Sequence, residues 1–197
     1  MSKLPTSYFQ SKNVVHLAED FIGLEVFTNI DGVMTSGIVT ETEAYAGTGD
    51  KACHAHLGRF TNRTAVMYEP GGITYIYLCY GIHHLFNIVT NTKGHADAIL
   101  IRAIEPLNGL ETMLERRQKS KLDKTLTSGP GNVSKALGLS KTLNSISVSS
   151  DTIWFEKPKL KTPDIVKTTR IGIDYAGEDA LLPWRFYDAH SKFVSVK

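Results

Sequence analysis

The chain has 197 residues, 42% hydrophobic and 21% charged, ordinary proportions for a globular protein large enough to bury its own core. Its net charge of +2 is a weak pointer towards nucleic acid at most, and its two cysteines, Cys53 and Cys79, exclude a disulfide framework, a four-thiolate iron–sulfur cluster and a cysteine-spaced zinc site, leaving two reduced thiols. The sequence has no apolar run of membrane-spanning length and no secretion signal at its start, so a cytoplasmic protein without membrane contact is expected.

In chain order, the spacing predicts a helix over 13–21, where Val14, Val15, Leu17, Ala18 and Phe21 make an apolar stripe. Gly23 stops it. A strand over 24–30, the hairpin dipeptide Asp31-Gly32 and a long strand over 33–45 follow. Residues 46–72, with many Gly, Thr, Asn and Arg, read as a long ordered loop, a length that usually goes with function. Residues 74–80 and 83–90 form a second strand pair around Gly81. A strand over 98–104 is apolar except for Arg102 and ends at Pro106. Helices are predicted over 110–119 and 132–139, with a turn-rich break over 122–131. Short strands lie near 152–155, 170–173, 184–187 and 193–196. Strands mixed with a few helices, in no regular alternation, predict an α+β fold on an antiparallel sheet, one domain over 1–197.

Chemistry concentrates in a few stretches. Side chains on a strand alternate faces, so Glu41, Glu43 and Tyr45 point one way. A carboxylate there can act as a general base for water, or the segment is an exposed edge strand with solvated acids. Two residues on one strand do not flank a bond from both sides, which disfavours a glycosidase pair. Tyr75, Tyr77 and Cys79 share one face of the next strand, and Tyr80 beside Gly81 stands at a hairpin tip. A ring at a protruding tip can push between stacked bases, although tyrosines are more often packed in a sheet. Cys53-His54-Ala55-His56 faintly suggests metal ligands, but no second cluster completes a site, and a hydrogen-bonding histidine is preferred. Asn87 carries an amide that could read a base edge. Arg102, the one charge in its strand, needs a partner, and Glu43 is proposed for it. Two basic clusters, 116–124 and Lys157, Lys159, Lys161, Lys167 with Arg170, are read as solvated faces in preference to phosphate-binding ones. From the residues alone the reading stops at an α+β domain with a tyrosine-lined, acid-containing cleft.

Together these stretches resemble the alkyladenine (3-methyladenine) DNA glycosylase family over nearly the whole chain. The anchors are Glu41-Thr-Glu-Ala-Tyr45, the His54 loop, Asn62-Arg63, Pro70-Gly71, Tyr75 to Gly81, Asn87 and Arg102-Ala-Ile-Glu-Pro-Leu107. Further on come Ser128-Gly-Pro130, Arg170-Ile-Gly-Ile173, Ala176-Gly-Glu178 and Arg185-Phe-Tyr187. The resemblance implies a curved antiparallel sheet with a protruding hairpin. It implies base-excision repair of double-stranded DNA, by hydrolysis of the N-glycosidic bond of 3-methyladenine and 7-methylguanine, extending to hypoxanthine and ethenoadenine. It implies Glu43 as the base that activates water, with Arg102 and the Ile171 carbonyl holding that water. Tyr45 and Tyr77 would sandwich the flipped base, with His54 bonding to it or to its neighbouring phosphate. Asn87 would crowd the amino group of guanine, and Tyr80 would fill the hole left in the duplex. No nucleophilic lysine accompanies the anchors, so a monofunctional enzyme without a lyase step is expected; a monomer needing no cofactor or metal is expected as well. The remaining alternative is a non-catalytic nucleic-acid-binding module with a related sheet.

Overall fold

The computed structural model describes residues 2–158 and 162–197. Over these the chain runs α1 (Val14–Asp20), β1 (Glu25–Ile30), β2 (Val33–Ala46), β3 (Ile73–Cys79), β4 (His83–Val89), β5 (Asp97–Asn108), α2 (Leu110–Arg117), α3 (Pro130–Leu137), β6 (Ile153–Glu156), β7 (Ile165–Thr168) and β8 (Arg185–Asp188). Every pairing between these strands is antiparallel. The sheet order is β3-β4-β5-β2-β1-β6, with β8 joined to β2 and to β7. The fold is therefore α+β on a curled antiparallel sheet, as the sequence predicts.

The 14-residue β2 is the spine of this sheet. Its first half pairs with β1 and its second half with β8, while β5 runs along its other edge. Opposite Val39, Ile104 takes its place, but the next pairs are Glu41 with Ala103 and Thr42 with Ile101. Thr40 is thus an extra residue on β2 and Arg102 an extra residue on β5, two bulges that cancel. Each reverses the alternation of faces in its own strand. Val39 and Ile104 lie in the main core, and beyond the bulges Ala44, Ile99 and Ile101 lie there instead. The bulges therefore aim Glu43 away from the apolar core and Ala44 into it.

One face of the sheet, through Ile76, Phe86, Ile88, Ile99 and Ile101, joins residues of α1 and α3 in the main core. Asn13 caps α1 by accepting from the His16 backbone N–H at 3.0 Å. The opposite face carries Tyr75 and Ala98 into a second, smaller core built with Cys53, Ala55 and Met67 from the long loop. That loop is ordered by single 3₁₀ turns at Gly47–Gly49, His56–Gly58 and Ala65–Tyr68, and it folds over the site face.

Several boundaries differ from the sequence reading. Strand β5 continues past Pro106 to Asn108. Proline is tolerated there because β4 pairs with β5 only as far as Leu100, and a bulge follows at Leu107. Helix α3 starts at Pro130, not at 132, since proline's fixed φ and missing N–H suit a first helical turn. Residues 170–173 and 193–196 are not strands. Their polar groups bind side chains of the sheet instead, and the last strand pair is β7 with β8. No helix among the described residues is long and apolar enough to cross a membrane.

Candidate active site

A row of directly paired residues crosses five strands: Tyr75 on β3, Asn87 on β4, Leu100 on β5, Glu43 on β2 and Arg185 on β8. Directly paired residues share a face, so the sheet delivers a tyrosine, an amide, an acid and a cation to one surface. Above that surface lies a cavity of about 570 Å³. Tyr45, His54, Tyr77, Tyr80, Asn87, Arg102 and Ile171 all line it. Glu43 does not, and it is fully buried. Three of the lining residues instead touch its carboxylate.

Those contacts are specific. The Ile171 backbone N–H donates to Glu43 Oε1 at 2.8 Å, and Arg102 Nη1 lies 3.2 Å from the same oxygen. The Tyr45 hydroxyl donates to Oε2 at 2.8 Å. Ile171 thus meets Glu43 through its N–H. Oε2 accepts only the Tyr45 hydroxyl among the described residues, so one lone pair remains on it. Burial, followed by the Glu43 charge, raises the Tyr45 phenol well above its ordinary pKa, which keeps it a donor. Burial alone would lower Arg102, but Glu43 and Glu41 override it and hold the guanidinium charged.

Glu41, the other acid of the pair, does not line the cavity. Its Oε1 accepts from Arg102 Nε at 3.0 Å, Arg185 Nη1 at 2.9 Å and Ser195 Oγ at 2.8 Å. Its Oε2 accepts the Ser195 N–H at 2.7 Å. With Thr40 bonding the Phe193 carbonyl, this acid moors the C-terminal segment. Its commitment removes the two-carboxylate glycosidase arrangement. Two carboxylates and two guanidiniums balance in charge, the condition for a stable buried network.

The walls are aromatic. Tyr75 and Tyr77 lie with ring centroids 5.3 Å apart, and His54 meets Tyr77 edge-on at 4.7 Å. His54 Nδ1 is 2.8 Å from the Tyr75 hydroxyl, and Arg63 Nη2 is 3.0 Å from His54 Nε2. Arg63 Nη2 also lies 3.4 Å from Nδ1, so its guanidinium sits over the imidazole. Burial first, then Arg63 and Arg59, lower His54 from 6.5 to about 4. Because the unfolded chain binds a proton at this ring more readily, the His54 contribution to stability is fully present above pH 6.5 and is lost as pH drops from there towards about 4. Chemical denaturation across this window is expected to show the slope, and His54→Gln is expected to flatten it. A variant with an unchanged slope would remove His54 as its source.

Asn87 donates both amide hydrogens, to the Tyr75 carbonyl at 3.1 Å and the Leu85 carbonyl at 3.2 Å. Its side chain is therefore fixed, with the oxygen as the free end. At the hairpin tip Ile82 N–H donates to the Cys79 carbonyl at 3.1 Å, and Tyr80 and Gly81 have φ of +50° and +74°, the signs a type I′ turn requires. Tyr80 is 90% exposed.

Two features escape the sequence reading. Arg170, grouped there with a solvated basic cluster, is fully buried at its side chain. It forks onto both oxygens of Asp50 and lies over the rings of Tyr45, at 4.9 Å, and Trp184, at 5.1 Å. The signal available was an arginine directly before the apolar Ile171-Gly-Ile173, but its partner is 120 positions away. The other is the place of Arg63, an anchor given no role in the sequence, which stacks on Tyr77 at 4.6 Å. In the same basic group Lys167 pairs with Glu19 at 2.8 Å, whereas Lys159 and Lys161 lie outside the described residues. Cys53 is buried, its thiol pushed up to about 12 by that burial, and its Sγ faces the Ala96 carbonyl.

Comparison with known proteins gives the family of the chain. The Methylpurine-DNA glycosylase family matches residues 8–192. A protein of Chlamydia felis named "Putative 3-methyladenine DNA glycosylase" is 48% identical over 184 residues, 93% of this chain and 94% of that protein. Proteins of the same name from Clostridium perfringens, 41% identical, and Alkaliphilus oremlandii, 38% identical, each align over 96% of this chain and 97% of their own. A match of this extent, over nearly the whole chain, places the protein in the methylpurine-DNA glycosylase family.

Proposed function

We propose that the protein is a single-domain, monofunctional DNA glycosylase that removes alkylated purines from duplex DNA by flipping the nucleotide into the 570 Å³ cavity and attacking its sugar with water. The observation that carries this reading is the Glu43 carboxylate, fixed by Ile171 N–H, Arg102 and Tyr45, three residues that line the tyrosine-walled cavity. A base within a stacked duplex is out of reach of any such acid, so the nucleotide must be extruded. A purine alkylated on a ring nitrogen is cationic and stacks favourably on the electron-rich faces of Tyr45 and Tyr77.

In the chemical step, water held at the free lone pair of Glu43 Oε2 gives its proton to the carboxylate as its oxygen bonds to C1′. The C1′–N bond breaks and its electron pair stays with the purine, discharging the ring cation. The base leaves neutral without a general acid. Arg102 keeps the carboxylate charge-compensated, and Asn87 presents a fixed steric limit to the amino group of guanine.

A base-release assay on duplexes carrying 3-methyladenine, 7-methylguanine, hypoxanthine or ethenoadenine tests the reading. Release of the methylated bases is expected; release of none from any substrate would overturn it. Tyr80 is assigned to the gap left by the flipped nucleotide. Tyr80→Ser is expected to weaken binding to a lesion duplex by about 10- to 100-fold, the scale of one stacked ring. Tyr80→Asn, which tolerates the positive φ, is expected to match it. Undiminished affinity in both variants would contradict the wedge.

A further inference from the structure

The hairpin that carries Tyr80 has two flanks. One borders the catalytic cavity. On the other lies a groove of about 490 Å³ formed by Ile82, His83 and His84 together with Arg116, Arg117 and Lys135. His83 and Gly131 belong to the rims of both spaces, and a Cβ at Gly131 would sit only 2.9 Å from the His83 ring. This contact is the partition between them. No carboxylate lines the groove among the described residues.

We propose that this groove binds the sugar–phosphate backbone of the undamaged strand, the one opposite the lesion. The inference rests on the glycosylase reading above. A wedge inserted into a duplex leaves one strand on each side of it. The damaged strand must run on the cavity side, because its nucleotide enters there. The partner strand is left to the other flank, where the cations are.

The guanidiniums are held for such a contact. Arg116 Nη1 donates to the Ala136 carbonyl at 3.1 Å. Arg117 donates through Nε to the Leu126 carbonyl at 3.0 Å and through Nη2 to the Thr125 carbonyl at 3.3 Å. Each guanidinium has five N–H donors, so each retains some for phosphate oxygens while its position is fixed. Lys135 projects from the exposed side of α3. The basic segment 116–124 is therefore divided. Arg116 and Arg117 face the groove, whereas Lys119 is spent on Asp123 at 3.0 Å.

The decisive comparison is between two DNA probes, a duplex and a single strand of the same sequence, each carrying one tetrahydrofuran abasic analogue. Binding is followed by fluorescence anisotropy over a range of salt. Lys135→Glu, a change on an exposed side chain, is expected to raise the duplex Kd by about tenfold and to make the salt dependence shallower by about one unit of log–log slope. Arg117→Gln is expected to act in the same direction. Single-strand affinity should stay within about twofold of wild type. Equal weakening on both probes, or no weakening on the duplex, overturns the strand assignment. Circular dichroism of each variant separates a lost contact from a lost fold, and Lys135→Gln serves if Lys135→Glu unfolds. Base release by the wild type from methylated duplex is scored separately. Its absence refutes the glycosylase reading whatever the strand comparison returns.

Discussion

Glu43→Gln is expected to lower single-turnover base release by about 10²- to 10⁴-fold, the usual contribution of a positioned general base, while lesion-duplex affinity stays within a few-fold of wild type. The amide fits the same place. Its oxygen keeps the Ile171 N–H and the Arg102 contact at the position of Oε1. Its nitrogen falls opposite the Tyr45 hydroxyl, which can rotate to accept. What disappears is the basic lone pair on the side that faces Tyr45, so binding and chemistry should separate. Arg102 still contacts Glu41, which limits the cost in stability. Ordinary turnover by this variant would remove Glu43 from the mechanism, and loss of binding together with turnover would recast it as a structural acid.

Arg170→Met is expected to be the most destabilising single change in the site, at about 3–5 kcal/mol, because it leaves a buried carboxylate without its cation. For a chain of this size that is a fall in Tm of roughly 10 °C. Asp50 and Arg170 are both fully buried at the side chain. Asp50 also accepts the backbone N–H groups of Ala46, at 3.2 Å, and Ala52, at 2.9 Å, so the pair pins the start of the loop that covers the cavity. Adding Asp50→Asn to Arg170→Met should recover part of the loss, since the uncompensated charge is then gone. Arg170→Lys should fall between, keeping the charge but losing the fork. Scanning calorimetry of the four proteins checks this. A loss below 1 kcal/mol in Arg170→Met, or a double variant no better than the single one, would show that the ion pair is not what holds the loop.

Local pattern carried much of this fold in advance. The stripe from Val14 to Phe21, the Asp31-Gly32 turn and the Tyr80-Gly81 turn each depend on neighbours in sequence, and each is where the pattern puts it. Glu43 and Tyr45 share a face because they stand two positions apart on one strand, with only Ala44 between them. Distant partnerships were largely closed to that reading. Nothing near Arg170 names Asp50, so an arginine that looks like one more surface cation lies inside the protein. Nothing near Glu41 names Ser195, so the segment after Phe193, which alternates like a strand, is instead tied down by an acid of β2. Strand β7 is missed because its Ile165–Thr168 stretch is short and only partly covered. The pairing of Glu43 with Arg102 was the exception, reached because a lone charge in an apolar strand demands a countercharge.

The opposed bulges at Thr40 and Arg102 also constrain how relatives of this protein can diverge. Deleting Thr40 alone would turn every later side chain of β2 over, burying Glu43 among isoleucines and presenting Ala44 to the substrate. Deleting Arg102 alone would do the same to β5. A one-residue gap at either site in an alignment should therefore mark a copy that has lost its chemistry.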